Sequence, residues 1–207
     1  MRIGLVVDGD AEFRSLANLL RRIASGHQIL NPVRADIQPF SPPALIARAA
    51  APRVRILRNR GADRVVVLFD RETRPECCGA FAAEVQQRLA ANTTLGPAAS
   101  LSVVLKNTRY ENWLIGDPAA FQSLSGLFPA QDHVAIPSTP FSADSTDGLR
   151  LIARLRGRGS YDKVRDAIRL AAAARPDVIA QNSRSFRRLL RVLGAPQYAT
   201  QSRLPAP

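Results

Sequence analysis

Four carboxylates stand where two apolar runs stop. "IGLVV" (3–7) gives way to Asp8-Gly9-Asp10, and Val65–Phe69 gives way to Asp70 and Glu72 with Arg71 between them. Burying an unpaired carboxylate is costly, so either a cation meets these acids or they lie at a solvent-facing edge. Side chains two apart on an extended chain point the same way, so Asp70 and Glu72 are expected to converge. A hard cation such as Mg²⁺ (or Mn²⁺) prefers oxygen ligands and needs only one or two carboxylates, since it keeps several waters. Acids at two strand ends of one sheet therefore point to a shared metal site at Asp8, Asp70 and Glu72. For each acid alone a plainer reading exists. Asp8 and Asp70 would cap the helices that follow, and Glu72 would pair with Arg71 or Arg74 on the surface.

Other catalytic chemistries lack their residues. The two cysteines, Cys77 and Cys78, are adjacent, which suits neither a disulfide nor a metal-ligand spacing. They read as small apolar side chains on a helix. The two histidines, His27 and His133, are far apart in the chain. That argues against a zinc hydrolase and a Ser–His–Asp triad. If the protein is an enzyme, its chemistry runs on carboxylates.

These acids need a scaffold, and the hydrophobic pattern supplies one. "IGLVV" reads as a buried strand. The following helix carries Phe13, Leu16, Leu19, Leu20 and Ile23 on one face and stops at Gly26. A second strand is expected around Val33–Ile37. "ALIARAAAPRVRILRNRG" reads as helix with a break near Pro52. "RVVVLF" is the third strand, "PECCGAFAAEVQQRLAAN" a helix with Pro75 near its first turn, and "LSVVL" (101–105) the fourth strand. Alternating strand and helix, with strands continuously apolar, is the grammar of an open parallel α/β sheet covered on both faces. In such sheets ligands bind at the carboxyl ends of the strands, which is where the acids fall. After Pro118 the pattern shifts to short helices and loops, ending in two basic helices, "YDKVRDAIRLAAAA" and "SRSFRRLLRVLG", and a frayed tail, "QSRLPAP". The reading divides the chain into an α/β core, 1–117, and an extension, 118–207, packed on the same domain.

The net charge is +12, and the thirteen Arg or Lys from Arg150 onward face three Asp there. This asymmetry suggests a polyanionic partner such as nucleic acid. "RLRGRG" (154–159) presents Arg154, Arg156 and Arg158 for phosphate contacts; its plainer reading is a solvated loop. Arg187 and Arg188 on the last helix join them as candidates. Lysine occurs only at 106 and 163, so coding bias towards arginine is the competing explanation. No apolar run is long enough for a membrane span, and "MRIGLVVDGD" lacks the features of a signal peptide, so a cytoplasmic protein is expected.

"LVVDGDAEF", a helix, then "VVVLFDRE" resemble the Toprim domain of topoisomerases, primases and overcoming-lysogenization-defect nucleases. More closely, the chain resembles the Toprim-like domain-of-unknown-function family 4276. Its Glu-x-Trp-Leu-x-x-Asp segment corresponds to "RYENWLIGD", with Glu111, Trp113, Leu114 and Asp117 in place, and "SYDK…SFRRLLRVLG" resembles its C-terminal part. The resemblance implies Asp8 and Glu12 as catalytic acids, with Asp8 in proton transfer. It implies Asp70 and Glu72 as Mg²⁺ ligands beside Asp8, with Glu111 adding or orienting a ligand. For Glu111, a surface pair with Arg109 is the other reading. Trp113, Leu114 and Ile115 read as core rather than a base-stacking platform. Two departures stand out: Asp8 replaces the usual glutamate and Glu72 the usual aspartate, so the charge is kept and the reach changed.

The expected function is a metal-dependent nuclease or related phosphoryl-transfer protein acting on nucleic acid. The resemblance also implies an ATPase of the ABC type as a possible partner in a bacterial defence system. The alternative is a non-catalytic subunit that binds nucleic acid or a partner through the same scaffold. A third reading, a PIN-like or NYN-like ribonuclease, needs a further acidic strand end late in the chain, and none is apparent.

Overall fold

A computed structural model of the protein describes residues 1–24, 26–93, 100–129, 136 and 142–198. His133 and the tail 201–207 lie outside the described residues. Among the described residues, five strands form one parallel sheet: β1 (Arg2–Val7), β2 (Gln28–Ile29), β3 (Val33–Arg34), β4 (Arg64–Asp70) and β5 (Ser100–Lys106). The order is β2-β1-β4-β5, with β3 also paired to β1. The strand expected around Val33–Ile37 is the two-residue β3, and another short piece, β2, precedes it along the same edge of β1. Leu30 still donates its N–H to the Ile3 carbonyl (2.9 Å), but Pro32 has no N–H to give, and the strand breaks there.

Side chains alternate across this sheet, and each face is covered. Ile3, Leu5, Val7, Val66, Leu68 and Val104 join a cluster with the helix α1 (Asp10–Arg21) and the helices after β5. Val65, Val67, Phe69, Val103 and Leu105 face α2 (Pro43–Asn59) and α3 (Cys78–Asn92). Burial on both faces explains why the strands are continuously apolar. The break anticipated at Pro52 does not occur, and α2 runs through it. Ala47, Ala50, Ala51, Val54 and Leu57 are buried on both sides of the proline. Packing of that stripe outweighs one missing backbone hydrogen bond. Helix α3 starts at Cys78, three residues past Pro75.

After β5 come α4 (Tyr110–Leu114), α5 (Pro118–Ser123), α6 (Gly148–Leu155), α7 (Arg165–Ala173), α8 (Pro176–Asn182) and α9 (Arg184–Leu193). Trp113 is fully buried. Its ring packs edge-on to Phe186 at 5.1 Å, and its Nε1 donates to Ser185 Oγ at 2.8 Å. Trp113 is therefore core, and it ties α4 to α9. α6 approaches α4 closely at Gly148, where a Cβ would lie 2.8 Å from the Asn112 nitrogen and 2.9 Å from the Glu111 carbonyl carbon. That close approach helps wall the cleft described next.

Candidate functional site

The register of β4 on β5 sets Asp70 directly beside Lys106. Both continue the alternation of Leu68 and Val104, so both side chains emerge on the face that α1 covers. Asp8 lies one residue beyond β1, the other neighbour of β4. Glu12 comes from the first turn of α1. Three carboxylates and one ammonium therefore meet at the carboxyl end of the sheet.

Lys106 is fully buried. Its Nζ lies 2.6 Å from Asp8 Oδ1 and 2.9 Å from Asp70 Oδ1, and it also contacts Glu12 Oε1. It donates hydrogen bonds to Asp8 and Glu12. The buried Oδ1 of Asp70 is held by the same ammonium as an ion pair. Asp8 is gripped from a second side, because the Asp70 backbone N–H donates to its Oδ2 at 2.8 Å. A Cβ at Gly9 would meet Glu12 Oε2, so a side chain there would displace the Glu12 carboxylate.

Burial pushes the Asp70 carboxyl up to about 8; Lys106 opposes the rise, and Asp8 and Glu12 add to it. Burial works against the charge on Lys106, but the carboxylates of Asp70, Asp8 and Glu12 outweigh it and hold the ammonium protonated. Glu111 is also raised, first by burial. Its Oε1 faces the Tyr161 hydroxyl at 3.5 Å.

The cluster floors a cleft of about 400 Å³. Its walls include Asp10, Glu72, Arg109, Glu111, Leu149 and Lys163. Not every expected ligand joins the centre. One oxygen each from Asp8, Glu12 and Asp70 lies within 4.8 Å of the others, and this group contains neither Glu72 nor Glu111. Glu72 departs for a physical reason. The strand ends at Asp70, and Glu72 sits at a φ of 55°, in the left-handed region. The two-residue rule holds only while the chain stays extended. Glu72 instead accepts from Arg109 Nε at 2.6 Å. Arg109, read as a surface partner for Glu111, is Glu72's partner.

The three oxygen donors are of the type a small hard cation takes, and the Lys106 ammonium holds the point they share. Lys106 was not among the expected site residues. Its one sequence signal is scarcity: lysine occurs twice in this arginine-rich chain, once at the centre of the cluster and once, at Lys163, on the cleft wall.

Among the expected phosphate contacts, Arg154, Arg158 and Arg188 are exposed. Arg156 is bonded to Asp166 at 2.9 Å. Arg187 is buried and donates to the Ala180 carbonyl at 2.6 Å. Arg156 and Arg187 therefore already hold structure together.

Fold and site define an α/β protein with an acidic cleft at the carboxyl edge of a parallel sheet. The chain belongs to the family described as Domain of unknown function (DUF4276), which it matches over residues 7–194. No curated protein and no solved structure matches it. No helix among the described residues is long and apolar enough to cross a membrane.

Proposed function

We propose that this chain is a Toprim-like, Mg²⁺-dependent phosphoryl-transfer protein, a nuclease acting on nucleic acid. The observation that carries the reading is the convergence of Asp8, Glu12 and Asp70 in an open cleft around a single ammonium. With all three carboxylates ionised as ligands, their charge exceeds what one lysine neutralises, and a divalent ion bound by their oxygens would make up the difference. Such an ion, when bound, polarises a phosphate oxygen and lowers the pKa of an attacking water. The chain's own groups do the rest. Lys106 and the Asp70 amide fix the orientation of Asp8, the residue assigned to proton transfer. Lys163 and Arg109 stand on the cleft wall, where a phosphodiester backbone would pass. Exposed arginines of the C-terminal part hold flanking phosphates. An ABC-type ATPase partner and a defence role follow from the Toprim resemblance alone.

The test is cleavage of single- and double-stranded DNA and RNA with Mg²⁺ and with Mn²⁺. Asp8→Asn is expected to abolish cleavage and leave nucleic-acid affinity intact, whereas Asp8→Glu should preserve or raise activity. Cleavage by Asp8→Asn at the wild-type rate would show the mechanism to be wrong. One observation favours a second reading, a non-catalytic binding subunit. With Asp70 holding a proton up to about pH 8 and Lys106 bonded to Asp8 and Glu12, the excess negative charge of the cluster is halved without any ion. Nucleic-acid binding without cleavage, with a neighbouring ATPase present, would favour it.

A further inference from the structure

We propose that the substrate is single-stranded nucleic acid, and that a strand leaving the cleft stacks a base on Phe40 and lays its phosphates along α2. The inference rests on the nucleic-acid reading above and names the substrate class and its path. Phe40 is 64% exposed, yet its backbone is pinned. It sits in the turn 38–41, which the Ser41 N–H closes onto the Gln38 carbonyl at 2.9 Å. Arg74, itself buried, donates to the carbonyls on both sides of Phe40, to Pro39 through Nε and to Ser41 through Nη2 at 2.5 Å. Its guanidinium lies over the Phe81 ring at 4.2 Å and 6.0 Å from the centre of the Phe40 ring. Pro39, Pro42 and Pro43 stiffen the backbone around the turn. A buried cation thus holds an aromatic ring out in water. That is the arrangement of a base-stacking platform, ordered before anything binds.

The surface beside the ring is cationic. Residues 37–62 hold five arginines and no acid, and none of the five forms an ion pair among the described residues. Arg48 and Arg55 are exposed and seven residues apart, hence on one face of α2 and about 10 Å apart along it. Arg53 donates its Nε to the Arg34 carbonyl at 3.1 Å, which fixes its direction. The ends of the turn, Gln38 and Ser41, wall a cavity of about 420 Å³ together with Leu45, Arg48, Pro52 and Arg53. Phe40, Leu45 and Ile56 are three of the five large apolar side chains that the described residues leave exposed. Coding bias would put arginines on a helix, but it would not pin a phenylalanine in water beside them. This surface also continues the cleft. Ile37 lines the cleft, while its neighbours Asp36 and Gln38 line the cavity. Asp36, the acid at that boundary, accepts from Gln38 Nε2 at 2.9 Å. A strand that crosses at Ile37 meets the turn and then the arginines. A duplex cannot use the ring, because its bases are stacked on one another, whereas unpaired bases can.

The experiment is fluorescence anisotropy of labelled mixed-sequence DNA and RNA oligonucleotides, single-stranded or annealed to their complements. The full chain is titrated in chelator, so that binding is read without metal-dependent cleavage. At physiological ionic strength wild type is expected to bind the single strand more tightly than the duplex. Phe40→Ala should weaken single-strand binding by about 5- to 150-fold, the equivalent of one lost base stack, and leave duplex binding unchanged. Phe40→Trp, which keeps a stacking ring, should restore it. Both variants should melt as wild type does, since the ring is exposed. Arg48→Gln with Arg55→Gln should make the single-strand slope of log K against log salt shallower by about 1.4, about 0.7 for each phosphate released. Equal binding of strand and duplex by wild type, unchanged single-strand affinity in Phe40→Ala, or an equal loss of both forms there would each overturn the proposal. So would a Phe40→Trp variant as weak as Phe40→Ala. In those cases the nucleic-acid reading stands. Unchanged single-strand affinity in Phe40→Ala with an unchanged salt slope in the double arginine variant would assign this face to an acidic protein partner instead. Binding of neither form by wild type would overturn the nucleic-acid reading itself, and this inference with it.

Discussion

Asp117 and the Asp8–Glu12–Asp70 group are both acids at or near the carboxyl side of the sheet, and they live in opposite circumstances. Asp117 is fully buried, and its one carboxylate accepts four hydrogen bonds. They come from Ala119 N at 3.2 Å, Arg175 N at 2.7 Å, Arg175 Nε at 3.1 Å and Arg175 Nη2 at 2.9 Å. In doing so it caps α5 and ties the start of α8 to the segment after α4. The cleft group has three carboxylates sharing one ammonium and one backbone amide. A saturated acid is a structural clamp; an under-supplied group is where an external cation or a proton can still act. The same family segment carries both kinds. Trp113, Leu114 and Asp117 are buried structure, and Glu111 alone among its named positions faces the cleft.

Asp117→Ala is expected to have the largest effect. It orphans the backbone N–H groups of Ala119 and Arg175, at a cost on the order of 2–3 kcal/mol. Thermal denaturation should show a fall of roughly 5–10 °C for a chain of this size. If the variant melts as wild type does, the contrast between the two sets of acids fails.

Asp70→Asn should act in the opposite direction and more weakly. The folded pKa of Asp70, about 8, lies above its ordinary 3.8. The folded state therefore binds a proton that the unfolded chain has released, and stability contributed below pH ~4 is lost as pH rises through 8. In a chelator, with no divalent ion present, the wild type should lose melting temperature between pH 5 and 9. Asp70→Asn should lose less and sit a few degrees higher at the alkaline end. Glu111, also raised, remains in both proteins and cancels in the difference. Lys106, held above its usual range, stays protonated throughout this window. A wild-type melting temperature that is flat or rising from pH 5 to 9, matched by Asp70→Asn, would contradict the assignment. The same pair sharpens the metal reading. Mn²⁺ should raise the wild-type melting temperature by mass action, and the shift should shrink or vanish in Asp70→Asn. Equal shifts would count against a metal at this cluster.

Asp8 and Asp70 were legible because an apolar β-branched run that stops in a carboxylate marks the carboxyl edge of a parallel sheet. The alternation of strands and helices was legible for the same reason: period and run length are local. Lys106 was not, because its position depends on the register of β4 on β5, a tertiary fact with no local trace. Glu72 was misplaced because its positive φ ends the extended chain one step before the expected convergence. Pro52 misled in a related way, since packing on both sides of it decided the helix. Glu12 entered only through the family resemblance, and it joins the cluster from the first turn of α1, where it meets Lys106.

The same distinction between engaged and open groups divides the arginines, and the smallest expected effect on stability tests it. Arg156 is committed to Asp166 and Arg187 to backbone carbonyls at the end of α8, whereas Arg154 and Arg158 are exposed. Replacing Arg156 or Arg187 should lower the melting temperature, and any loss of nucleic-acid affinity would then be hard to separate from damage to the fold. Replacing Arg154 and Arg158 together should leave the melting temperature unchanged. If both reach phosphates of a duplex, the slope of log K against log salt should become shallower by roughly 1.8, about 0.9 for each phosphate no longer neutralised. Affinity should drop most at low salt and with little dependence on sequence, since bonds to phosphates position the protein without reading bases. The control is Lys163→Gln on the cleft wall, expected to reduce the slope by about 0.9. An unchanged slope in the double arginine variant with a reduced slope in Lys163→Gln would confine the nucleic-acid surface to the cleft. No change in either would leave the positive charge of the C-terminal part as general surface charge.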